Sequence, residues 1–75
     1  MEINSFVQNF ANQFEDTDPS VFTPTTKFKE LEEWSSLSAL LIIAMMDETY
    51  NVKIKGDDIR NSVTIEDLFN VVKTK

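Results

Sequence analysis

The sequence predicts an all-α fold: a small bundle of three main helices and one short helix, with a long first loop. Three observations carry this. Apolar residues recur at helical spacing in two separate stretches, near residues 3–14 and 65–72. A third stretch, residues 39–46, is apolar for eight residues in a row. The one alternating segment, Val52-Lys53-Ile54-Lys55, has no second strand to pair with and reads as an extended loop.

Taken in order, Ile3, Phe6, Val7, Phe10, Ala11 and Phe14 form one apolar stripe on an amphipathic helix. Asn9, Asn12, Gln13 and Glu15 take the other side. The polar run up to Pro19 stops it, because a residue before proline disfavours the helical region. The first helix is expected over residues 3–15. Residues 16–35 hold both prolines and, before Trp34, five threonines and serines. Loops longer than about 12–15 residues usually pack down as a unit or have a job. Val21, Phe22, Phe28, Leu31 and Trp34 are expected to pin this one to the core, with one helical turn near residues 27–31.

The second helix is expected over residues 36–50. The only glycine, Gly56, follows the extended segment, and residues 57–61 are expected to make one short helical turn. The last helix starts at Thr64. Thr64 followed by Asp67 resembles a capping box, and Ile65, Leu68, Phe69 and Val72 continue as a stripe. The expected core is Phe6, Phe10, Phe14, Ile42, Met46, Tyr50, Ile54, Leu68, Phe69 and Val72.

At 75 residues the chain is expected to be one domain, residues 1–75, near the lower limit for independent folding. It has no cysteine and no histidine. Disulfides, thiolate metal sites, histidine bases and His-bearing zinc sites are excluded on that ground. The net charge of −6 repels nucleic-acid phosphate and favours basic protein partners. The first ten residues lack the basic and apolar regions of a secretory signal. The longest apolar run has eight residues, against the roughly 20 a membrane-spanning helix needs. The expectation is a cytoplasmic monomer that binds no nucleic acid and spans no membrane.

The second helix resolves when its residues are stepped around the axis at about 100° each. Ala39, Ile42, Ile43, Met46 and Tyr50 gather on one side, free of charge and suited to the core. Leu37, Leu40, Leu41, Ala44, Asp47 and Glu48 gather on the other, with Ser38, Met45 and Thr49 between. Either this second face is an exposed docking surface rimmed by acid, or the long loop folds over it. Ser35 and Ser36 stand where the N-cap and first turn must be. Serine is a favoured N-cap. A serine at this positive pole is also suited to carry a phosphate.

The stretch "EEWSSLSALLIIAMMDETYNVKI", residues 32–54, resembles the acyl carrier proteins and related peptidyl carriers. Their mark is Asp-Ser-Leu, often after Trp, opening a helix that ends in acidic residues and an aromatic. Trp34-Ser35-Ser36-Leu37 looks like that motif with one change. Ile54, Asp57-Asp58-Ile59 and the Thr64 helix fall where the family has a short third helix and a fourth. Phe28 and Leu31 resemble its apolar loop positions. The resemblance implies that Ser36 carries 4′-phosphopantetheine, whose thiol holds an acyl or aminoacyl group as a thioester. The reactive sulfur would then come with the prosthetic group. It further implies a phosphopantetheinyl transferase and acyl-loading and synthase enzymes as partners. These would dock on Leu37, Leu40, Leu41, Ala44, Asp47 and Glu48.

Two departures stand out. Ser35 replaces the usual aspartate, a carboxylate the transferase would meet. Leu41 and Ala44 stand where more charge or bulk is the family's habit, which implies partners that read an apolar patch. Two other readings stay open: a carrier-fold interaction module that is never modified, and a small helical adaptor unrelated to carriers. An enzyme is the weakest reading, because no spacing suggests a carboxylate or lysine base. Asp57, Asp58 and Asp67 read as caps and solvated charge, and nothing matches a calcium loop.

Overall fold

Four α-helices follow one another in the computed structural model, which describes residues 1–75: α1 (Ile3–Ala11), α2 (Ser36–Tyr50), α3 (Gly56–Arg60) and α4 (Ile65–Lys73). Two short 3-10 turns, Pro19–Val21 and Phe28–Glu30, break the long first connection. α1 packs on α2 and α4, and α3 packs on both of the same helices. No helix is long and apolar enough to cross a membrane.

The α1 stripe buries Phe6, Val7 and Phe10. The helix ends at Ala11, four residues short of the expected end. Its last turn tightens instead: Gln13 N–H donates to the Phe10 carbonyl and Phe14 N–H to that of Ala11. The tight turn keeps Phe14 on the apolar side, buried and stacked against Phe10 at 5.6 Å between ring centroids. The hydrophobic period therefore outlasts the helix that produced it.

The long loop is held by aromatic rings. Phe28 is fully buried, edge-on to Phe10 at 5.2 Å and to Trp34 at 5.1 Å. Such pairs contribute about 0.5–1.5 kcal/mol beyond their buried area. Phe22 is buried too, whereas Val21 is exposed and takes no part in the pinning. The loop also closes the start of α4. The carbonyls of Thr26 and Pro24 accept the Ile65 and Glu66 N–H groups, two donors that no helix can satisfy internally.

Thr64 and Asp67 form the expected reciprocal cap on α4. The Thr64 and Val63 backbone N–H groups donate to the Asp67 carboxylate, each at 3.0 Å, and hold it below its ordinary range. At the far end of α2, Asn51 takes the left-handed conformation, φ 56°. Its N–H donates to the Asp47 carbonyl and that of Val52 to the Met46 carbonyl, which ends the helix. Tyr50 sits at the core's rim, not within it. It is half-buried, and its hydroxyl accepts a hydrogen bond from Asn9 Nδ2 at 2.8 Å. The rest of the expected core is buried. Val7, Phe22, Phe28, Met45, Ile59 and Ile65 join it.

Candidate functional site

α2 begins where Ser35 leaves the helix with extended backbone, φ −153° and ψ 178°. Its side-chain oxygen accepts the Ser38 N–H at 3.3 Å, and its own N–H donates to the Ser38 hydroxyl at 3.2 Å. This is a capping box in which serine replaces the usual Glu or Gln at the third position. The Ser38 hydroxyl donates onward to the Glu33 carbonyl at 3.1 Å, so this nearly buried polar side chain is satisfied.

Ser36 is the first helical residue. Its side chain is exposed and has no hydrogen-bond partner in the protein. The two adjacent hydroxyls thus have different employment. That of Ser35 is tied into the cap, and that of Ser36 is free. The first turn of α2 carries no acidic residue. A phosphate on Ser36 would meet the positive helix pole with no carboxylate in that turn to oppose it.

Leu37 is 64% exposed, Leu40 62% and Leu41 41%. Ala44, Asp47 and Glu48 are exposed as well. The long loop does not fold over this face. The six residues form one continuous side of α2, apolar beside Ser36 and acidic at the far end. Gln13, Glu15, Glu33, Ser35, Leu37 and Leu41 line an open depression at the helix start.

The opposite side faces the core, but not as the angular reading placed it. Met45 and Ser38, assigned between the faces, are buried. Ala39 and Ile43, assigned to the core, are only half-buried. The helix is rolled toward its Ser38–Met45 edge. Serine can be buried there because Glu33 supplies an acceptor, and methionine bends to fill an irregular gap. The sequence reading missed Ser38 and Glu33 as members of the site. The one available signal for Ser38 was its position three residues after Ser35.

No three acidic side chains are grouped so as to hold a metal ion. Comparison with protein-family models, curated proteins and solved structures finds no match for this chain.

Proposed function

We propose that this chain is a carrier protein of the acyl-carrier type. It holds acyl or aminoacyl intermediates as thioesters on 4′-phosphopantetheine attached to Ser36 and presents them to partner enzymes. It is not itself an enzyme. The observation that carries the reading is the free, exposed hydroxyl of Ser36 at the start of α2, beside the uncovered Leu37, Leu40 and Leu41. The resemblance of residues 32–54 to carrier domains supplies the chemistry.

In the attachment step Ser36 Oγ is the nucleophile toward a phosphorus of the coenzyme A pyrophosphate. The new O–P bond replaces the one to 3′,5′-adenosine bisphosphate, which leaves. The hydroxyl proton passes to a base of the transferase, because no histidine exists in this chain to take it. The cap on Ser35 and Ser38 keeps the first turn in place, and the helix pole favours the resulting phosphodiester. Once bound, the prosthetic group supplies the thiol that a cysteine-free chain lacks.

The face of Leu37, Leu40, Leu41, Ala44, Asp47 and Glu48 is where the transferase and the loading and synthase enzymes dock. Exposed leucines give apolar anchors, and Asp47 and Glu48 suit a basic rim. A second reading, a carrier-fold module that is never modified, is favoured by one feature. Ser35 caps α2 as an aspartate would, yet offers the transferase no carboxylate. Incubation with coenzyme A and a broad-specificity phosphopantetheinyl transferase separates the two. A mass gain of one phosphopantetheine supports the carrier, and an unchanged mass supports the unmodified module.

A further inference from the structure

Glu33 accepts four hydrogen bonds, which join the two segments on either side of the long loop. One carboxylate oxygen accepts the Glu15 N–H at 3.2 Å. The other accepts the Asp16 N–H at 3.2 Å and the Thr17 hydroxyl at 2.6 Å. All three donors lie just beyond the exit of α1. The backbone carbonyl of Glu33 takes the Ser38 hydroxyl, and Ser38 is locked reciprocally to Ser35. A continuous path therefore runs from the exit of α1, through Glu33 and Ser38, to the residue bonded to Ser36.

Asp16, Asp18 and Glu32 line the same depression as Glu33. The three donors hold this carboxylate in place. Their effect is on geometry: they restrict where the first turn of α2 sits relative to α1.

We propose that Glu33 is a positioning residue for Ser36, anchoring the turn that presents the acceptor hydroxyl. The proposal rests on the reading of Ser36 as the attachment site. Glu33 touches neither the hydroxyl nor the incoming phosphorus. It acts through Ser38 and Ser35, so its removal disperses the orientation of Ser36 while the leucine face stays intact.

The test uses the full chain as wild type, Glu33→Ala and Glu33→Gln, with coenzyme A and a broad-specificity phosphopantetheinyl transferase. Glu33→Ala lowers kcat for modification about tenfold, in line with the cost of small misplacements, while KM for the carrier stays within about twofold. Glu33→Gln, which keeps one acceptor oxygen, falls between. Backbone amide exchange, read without any transferase, speeds up about tenfold at Ser38 in Glu33→Ala and is unchanged at Leu68. An unchanged kcat, or a rise in KM alone, overturns the proposal. Should Glu33→Ala fail to fold, Glu33→Gln carries both readouts. Should the wild type take no phosphopantetheine, the Ser36 reading fails instead. The exchange data then decide whether Glu33 holds the turn, and unchanged exchange at Ser38 overturns that as well.

Discussion

The Ser35 side-chain oxygen accepts the Ser38 N–H while the Ser38 hydroxyl accepts the Ser35 N–H. This reciprocal pair gives two neighbouring serines distinct roles. Ser35 meets the helix's need for a cap, and the exposed Ser36 hydroxyl is left without a partner. On the proposed carrier reading, Ser35 in the place of the usual aspartate keeps the capping function and gives up the charge.

The exposed leucines should be dispensable for folding. Leu40→Gln and Leu41→Gln should each shift stability by no more than about 0.5 kcal/mol, as exposed substitutions usually do. Both should slow modification, because apolar anchors near the centre of an interface dominate binding. Thermal melts and modification rates measured on the same samples check this. A collapse of the melting temperature would mean that these side chains support the core.

Phe10 and Leu68 are fully buried. Leu68→Ala should cost about 2–5 kcal/mol and Phe10→Ala about 3–5 kcal/mol. Either is a large share of what a domain this small has. Urea titration gives the values, and an unchanged midpoint in both variants would contradict the packing described.

Gly56 opens α3 without positive φ, and nothing lies within 4 Å of where its Cβ would be. Gly56→Ala should therefore stabilise the protein by about 0.4–1 kcal/mol, by restricting the unfolded chain. A lower midpoint in urea would show a conformational demand for glycine there.

The Asp67 carboxyl is held below its ordinary value of 3.8, first by the Thr64 N–H and then by that of Val63. The folded state prefers the ionised form, so the stabilisation is complete above 3.8 and is lost as pH falls below it through the lowered value. Asp67→Asn, which offers a neutral acceptor at every pH, should be less stable than wild type near neutrality. Denaturation midpoints in acid should converge with those of wild type as Asp67 protonates. A gap that stays constant through the acid range would contradict this cap.

Much of the fold was legible because its signals are local. Ser35 and Asn51 bound α2 and Thr64 bounds α4 through contacts within a few residues. The end of α1 was not legible, because Phe14 stays on the apolar side through a tight turn that preserves the period. The roll of α2 toward Met45 and Ser38 was hidden as well. It depends on Glu33 satisfying a buried hydroxyl. Glu33 itself reaches partners 16 to 18 residues away, and no spacing in the sequence announces such a contact.

The central claim is that Ser36 alone accepts phosphopantetheine. Its most direct test is the intact mass of wild type, Ser35→Ala and Ser36→Ala after incubation with coenzyme A and a broad-specificity phosphopantetheinyl transferase. Wild type and Ser35→Ala should each gain one phosphopantetheine. Ser35→Ala should do so more slowly, because a missing cap costs about 0.5–2 kcal/mol of helix stability. Ser36→Ala should gain nothing. A gain that persists in Ser36→Ala, or no gain in wild type, would contradict the claim.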